Sequence, residues 1–257
     1  MTSIDEPMTE SGRTREWGRK VPLGVRNFRD AGGMGALSTG VLFRSAALHA
    51  LAPEDEGALR RLGLRTIVDL RSDPEVAERP DAVEVVRGGY ARYLHVPVFE
   101  ERRWPADQSE LYPLMAERAG RAVVAVVRRL LAGDGAPVLV HCASGKDRTG
   151  VVVAVVQTLM GASEEDVLQD FLRSNTELGL VAGPPAAGVT VAHGSLPVAA
   201  AHLERAMLWI RSHHGSVHRY LVAHGLGDSE LSAVRSLPGP TASCRTGRAR
   251  SSTCRSR

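Results

Sequence analysis

Three cysteines in 257 residues are too few for a disulfide framework, and no pair or cluster has zinc-site spacing. Cys142 stands alone in mid-chain, while Cys244 and Cys254 fall near the C-terminal end. So few thiols fit a reducing compartment, and the cytoplasm is the expected location. Long apolar runs are missing too. No uninterrupted stretch approaches the ~18 residues of a membrane span, so no membrane insertion is expected. Met1 to Arg15 is polar with mixed charges and lacks the apolar core of a signal peptide. An excess of one charge is also lacking. The formal charge of +3 arises in residues 238–257, which hold five arginines and no acid, and without them the balance is −2. The remainder therefore offers no basic surface for nucleic acid. His213, His214 and His218 have no acid or cysteine at ligand spacing, so neither metal nor cofactor is expected.

The 43% hydrophobic content is enough for a sizeable core. Residues 1–20 are polar and read as a flexible N-terminus. Residues 238–257 are rich in Ser, Thr, Gly and Arg without periodicity, and read as a disordered basic tail. Residues 21–237 are left as one domain. Within it, strand patterns alternate with helix patterns, and no repeat is visible. That order predicts an α/β fold with a central, mostly parallel sheet flanked by helices.

Val21 to Arg44 reads as a hairpin around Gly32-Gly33. Pro53 to Gly63 is a short helix, acidic first and basic last. Strands follow at Arg65–Arg71 and Tyr93–Val98, the latter ended by Pro97. Leu111 to Leu131 is helical with a break near Gly120, its stripe of Val123, Val126, Val127, Leu130 and Leu131 facing inward and Arg128 and Arg129 outward. Ser163-Glu164-Glu165-Asp166 is a capping box, and Leu178 to Pro197 a flexible loop. Further helices are expected at Val198–Ser212, at Ser216–His224 and after a capping Asp228.

The centre of the chain is Pro137 to Gly150, read PVLVHCASGKDRTG. Its first part is short, apolar and β-branched, which suits a buried strand. Its last part opens the apolar run Val151 to Val156, a buried helix that stops near Gly161. A loop entering a helix N-terminus aims successive N–H groups inward and gains the helix dipole, so it can cradle a phosphate. Ala143, Ser144, Gly145, Lys146, Asp147, Arg148 and Thr149 would form that cradle, with Gly145 letting the backbone curl closely. Arg148 can grip two phosphate oxygens with its planar fork. Cys142 lies on the floor, where the positive field favours a thiolate nucleophile. Thr149 can donate to the sulfur, and His141 can orient the loop.

His-Cys-x5-Arg-Thr-Gly resembles the signature of the cysteine-dependent protein tyrosine phosphatase superfamily. The fuller HCASGKDRTG is similar to the bacterial tyrosine phosphatase family that includes the secreted mycobacterial phosphatase B. Asn27-Phe28-Arg29-Asp30 with Gly32-Gly33, Leu42-Phe43-Arg44-Ser45, the Val68-Asp69-Leu70-Arg71-Ser72 run with Glu75, and Phe171-Leu172-Arg173-Ser174-Asn175 extend the resemblance from about Val21 to Leu237. It implies a protein tyrosine phosphatase-like fold and hydrolysis of phosphate monoesters through a phosphocysteine on Cys142. Phosphotyrosine in a protein is the favoured substrate. Lys146 matches members that also accept phosphoserine, phosphothreonine or phosphoinositides. The general acid is open between Asp147, beside the bound phosphate, and Glu100, after the 93–98 strand, with Asp107 less favoured. Arg29 and Arg44 are either ligand-binding or ordinary surface arginines. Asp69 and Arg71 are either rim residues or a structural ion pair. A short lid is expected within Phe99–Gly120. Two other chemistries use such a loop: phosphate binding without turnover, and thiol-based oxyanion reduction, which needs further working cysteines than a tail can reliably supply.

Overall fold

The computed structural model describes residues 24–49, 51, 53–82, 89, 91–101, 104–180 and 196–237. The expected N-terminal and C-terminal tails, and most of the 178–197 loop, lie outside these residues. Among the described residues, β1 (Arg29–Asp30), β2 (Leu42–Ser45), β3 (Thr66–Asp69), β4 (Arg92–His95) and β5 (Val138–His141) form one sheet in the order β1-β2-β5-β3-β4. Only β1 runs antiparallel, pairing Arg29 with Arg44 in the expected hairpin. The parallel register aligns Ser45, His141 and Asp69, so the loops after β2, β5 and β3 leave the sheet at the same edge.

The sheet is central because its middle strands β2, β5 and β3 are buried on both faces. In β5, Val138 and Val140 join a large core beneath the helices, while Leu139 joins Phe43, Ile67, Leu59 and Leu64 on the opposite face. Full burial of each such side chain contributes about 1.5–3 kcal/mol. The helix after β5, Asp147–Leu159, is buried along nearly its whole length, with Val151 to Val156 at 0–1% exposure. It is the central helix the sequence predicts.

The helices follow in chain order: α1 (Pro53–Arg61), α2 (Asp73–Glu78), α3 (Gln108–Arg118), α4 (Gly120–Leu131), α5 (Asp147–Leu159), α6 (Glu164–Leu178), α7 (Ala200–His214), α8 (Val217–Ala223) and α9 (Asp228–Ser236). Gly120, the first residue of α4, is required by packing. A Cβ on Gly120 would lie 2.2 Å from the His224 ring. Ser163 caps α6 by accepting from Asp166 N, as the capping box predicts.

Several details differ from expectation. β3 stops at Asp69 and β4 at His95, because Arg71 and Pro97 lie beyond the paired register. Gly227 occupies the N-cap position of α9, and Asp228 is its first residue. Arg129 does not face away, since its Nε donates to Thr66 Oγ1 at 3.1 Å. The segment expected as a lid holds α3, whose Leu111, Tyr112, Met115 and Ala116 are buried in the main core. An apolar face that wide makes α3 part of the domain wall rather than a cover.

Candidate active site

The loop between β5 and α5 is shaped by donors that hold its carbonyls. Ala47 N donates to Ala143 O at 3.2 Å, and Asn27 Nδ2 to Ser144 O at 3.0 Å. Arg44 Nη2 donates to Gly145 O at 2.8 Å, and Gly150 N to Lys146 O at 3.1 Å. In a trans peptide the N–H points opposite to its carbonyl. Tying these four carbonyls therefore turns the amides of Ser144, Gly145, Lys146 and Asp147 to the other side, as an anion cradle needs. Gly145 is required twice over. Its φ is +66°, and a Cβ there would lie 2.1 Å from Ser45 O.

The two side-chain donors are themselves braced from α6. Asp170 Oδ1 accepts from Arg29 Nε at 2.9 Å, and Asp170 Oδ2 from Arg44 Nη1 at 2.7 Å. Arg29 also donates to the Asn27 side chain, which holds Ser144. Burial, followed by the neighbouring Arg44, pulls the Arg29 guanidinium down to about 10 despite Asp170. The carboxyl of Asp170 opposes burial through both arginines and stays far below the usual carboxylate range. Arg29 and Arg44 are thus neither surface residues nor ligand contacts. They are buried braces, because the β1–β2 hairpin lies directly beside β5.

Cys142 is a free thiol at 1% exposure on the loop floor. Arg148 lies in the first turn of α5, and Glu75 of α2 receives Nη1 at 2.5 Å and Nη2 at 2.7 Å. This end-on fork leaves the Nε edge of the guanidinium for another oxyanion. The Trp104 ring centroid lies 5.1 Å from Arg148 Cζ. Burial works against the charges, but the pair wins: Arg148 is held above, and Glu75 below, its ordinary value. A hollow of about 300 Å³ opens beside the loop, lined by Ala143, Ala47, His49, Arg71, Glu75 and Arg79 among others. The buried Thr149 hydroxyl makes no hydrogen bond, so the expected bond to the Cys142 sulfur is not made here.

His141 is buried, but its ring does not orient the loop backbone. Nε2 is 3.2 Å from Asp81 Oδ2, and Nδ1 is 3.8 Å from Asp69 Oδ1. Burial disfavours its charge, yet Asp69 and Asp81 outweigh it and raise the imidazole above its usual value. Arg71 Nη2 lies 2.7 Å from Asp69 Oδ2 and 3.0 Å from Asp81 Oδ1, which makes Asp69 and Arg71 a structural ion pair. Asp69, Asp81 and His141 have the donor types of a metal site. Arg71 and the Tyr93 hydroxyl, 2.6 Å from Asp69 Oδ2, already fill that space. His213 is not near it, since its ring stacks on Trp209 at 4.3 Å.

The three acid candidates separate clearly. Asp147 is buried in the loop, where the Tyr112 hydroxyl donates to its Oδ1 at 2.6 Å. Lys146 Nζ is 3.7 Å from Asp147 Oδ2 and donates to Leu196 O, so this ammonium is turned to the protein. Glu100 is exposed on the loop after β4. Asp107 is exposed and occupied as the N-cap of α3, accepting from Ser109 N at 2.7 Å. Three contributors, Asp81, Tyr112 and Asp170, are not among the residues singled out in the sequence, and Glu75 is named there without a role. A tyrosine on the apolar face just before Pro113, and an acid between Val167 and Phe171 on the buried stripe of α6, were the available signals.

The donors around the loop come from segments spread over most of the chain, and known proteins match more than half of it. The chain is 34% identical over 194 residues to the triple specificity protein phosphatase PtpB of Mycobacterium tuberculosis, covering 61% of this chain and 69% of that one. It is 26% identical over 145 residues to a tyrosine-protein phosphatase of Nostoc commune, 53% of this chain and 49% of that one. Among solved structures it is similar to P. aeruginosa TpbA in complex with pTyr, with 19% identity over 84% of this chain and 99% of that one, at a TM-score of 0.45. A model of the tyrosine phosphatase family matches residues 22–237, which takes in every residue that ties or braces the loop, and the chain belongs to that family.

Proposed function

We propose that residues 21–237 form a phosphatase domain that hydrolyses phosphate monoesters, phosphotyrosine first among them, through a phosphocysteine on Cys142. The observation that supports this is the set of tied carbonyls at Ala143, Ser144, Gly145 and Lys146, whose amides turn to the opposite side in the loop that carries Cys142 and leads to Arg148. Cys142 attacks phosphorus, and the amides with the free edge of Arg148 stabilise the equatorial oxygens in the transition state. Asp147 protonates the leaving oxygen, then takes a proton from the water that hydrolyses the phosphocysteine. Its place within the loop supports that role over exposed Glu100 and over Asp107, already used as a cap. No step calls for a metal, because the positive field comes from the amides, the dipole of α5 and Arg148. The thiol must stay reduced, so a reducing compartment such as the cytoplasm is part of the proposal.

Acid quenching during turnover of p-nitrophenyl phosphate, followed by peptide mass spectrometry, tests the reading. A phosphoryl group on the Cys142 peptide is expected. An active preparation with no phosphoryl group on that thiol refutes it. A wider substrate range is the second reading, favoured by the triple specificity in the name of the M. tuberculosis relative. A panel of phosphotyrosine, phosphoserine and phosphothreonine peptides with phosphoinositides separates the two.

A further inference from the structure

Tyr112 is fully buried on α3, yet its hydroxyl reaches into the loop and donates to Asp147 Oδ1 at 2.6 Å. Its ring is clamped, stacked on His202 at 4.8 Å and edge-on to Phe171 at 6.1 Å. The hydroxyl therefore has little freedom to leave the carboxyl group. Burial first, then Asp147 and Cys142, push the phenol well above its ordinary value, so it keeps its proton and remains a donor throughout the working range. The second oxygen of Asp147, Oδ2, lies 3.7 Å from Lys146 Nζ, so the Tyr112 hydroxyl makes the short contact to this carboxyl group.

We propose that Tyr112 is a positioning residue for the general acid: its hydroxyl holds the Asp147 carboxyl group in place and stabilises the carboxylate that forms as the leaving group departs. The proposal rests on the reading of Asp147 as the acid. As the Cys142 sulfur–phosphorus bond forms, the ester P–O bond breaks and its electron pair goes to the leaving oxygen. That oxygen takes the Asp147 proton. The new carboxylate then accepts the Tyr112 hydrogen bond in its charge-assisted, stronger form. When water cleaves the phosphocysteine, Asp147 regains a proton and inorganic phosphate leaves. Tyr112 itself never transfers a proton.

The test compares wild-type full chain, Tyr112→Phe, Asp147→Asn and the double variant on two esters. Phenyl phosphate has a basic leaving group that needs the proton. The p-nitrophenolate of p-nitrophenyl phosphate needs it far less. Tyr112→Phe should lower kcat on phenyl phosphate by about 10-fold, the scale of one hydrogen bond to a charged group. The loss on p-nitrophenyl phosphate should be several-fold smaller, with KM and inhibition by inorganic phosphate unchanged. In the Asp147→Asn background, Tyr112→Phe should add nothing. The ratio of the two rates cancels any loss of folded protein, since both substrates report on the same folded fraction. Equal losses on the two esters, or additive losses in the double variant, overturn the proposal. If Asp147→Asn shows the leaving-group selectivity and Tyr112→Phe does not, the role of Tyr112 alone fails. If Asp147→Asn shows none, the assignment of the acid fails.

Discussion

Asp170→Asn keeps the size of the side chain and removes its charge, so it isolates what the α6 carboxylate does. In the native protein that carboxylate faces Arg29 at 2.9 Å and Arg44 at 2.7 Å, with all three side chains at 5% exposure or less. Its removal leaves two buried guanidinium groups side by side without an anion. Breaking a buried pair in this way costs about 3–5 kcal/mol, and two charge-assisted bonds at about 1.5–3 kcal/mol each agree with that range. A loss of about 4 kcal/mol corresponds to a fall in Tm of about 8–16 °C for a domain of this size. The measurement is thermal unfolding followed by circular dichroism, at neutral pH and again in acid. The depressed Asp170 pKa contributes stability that is present above the ordinary carboxylate value of about 3.9 and is lost as pH falls towards the folded value. The wild-type advantage should therefore shrink in strong acid. A Tm within about 3 °C of wild type at neutral pH would mean that the arginines do not depend on Asp170, and the bracing account of the loop would be wrong.

Gly145→Ala should lose about 3 kcal/mol and most activity, because the left-handed backbone at φ +66° and the Ser45 carbonyl 2.1 Å away both oppose a methyl group. Thermal unfolding and p-nitrophenyl phosphate turnover read the two effects. Arg148→Ala should reduce kcat/KM by about 100-fold or more, the scale of a charge-assisted contact aimed at the transition state. Cys142→Ser should keep phosphate-ester binding, measured by calorimetry, and abolish turnover. The raised pKa of His141 contributes stability that is complete below the unfolded value of about 6.5 and lost as pH rises through the folded value. The Tm gap between wild type and His141→Asn should accordingly narrow on the alkaline side.

What could be read in the sequence was local. The apolar β5, the tight loop and the central α5 are contiguous, and their periodicity and glycine positions report directly on backbone conformation. The nucleophile and the arginine follow from that strand-loop-helix context. The partners of these groups were not legible, because each lies far along the chain. Asp170 is 141 positions from Arg29 and 126 from Arg44. Glu75 is 73 positions from Arg148, and Tyr112 is 35 from Asp147. The local patterns of α3 and α6 set Tyr112 and Asp170 apart as buried polar groups, but nothing local says that they face the loop. Lys146 shows the same limit: its place in the motif gave charge beside the cradle, and its contact with Leu196 O, 50 positions away, was not legible.

The buried arginines also answer a physical objection to their presence. Ion pairs withdrawn from water often stabilise a fold no better than apolar residues of the same volume. An apolar pair in place of Arg44 and Asp170 could fill the same space. It would leave the Gly145 carbonyl, now held at 2.8 Å by Arg44 Nη2, without a donor on that side. A buried carbonyl without a partner is costly, and the peptide would rotate to find one. Rotation would carry the Lys146 amide out of the cradle with it. The arginine must therefore be anchored as well as charged, and Asp170 on the rigid α6 fixes its other end. The buried charge cluster thus sets the direction of the Gly145 and Lys146 amides, through Asn27 and Arg44, and whatever stability it adds to the fold is secondary to that.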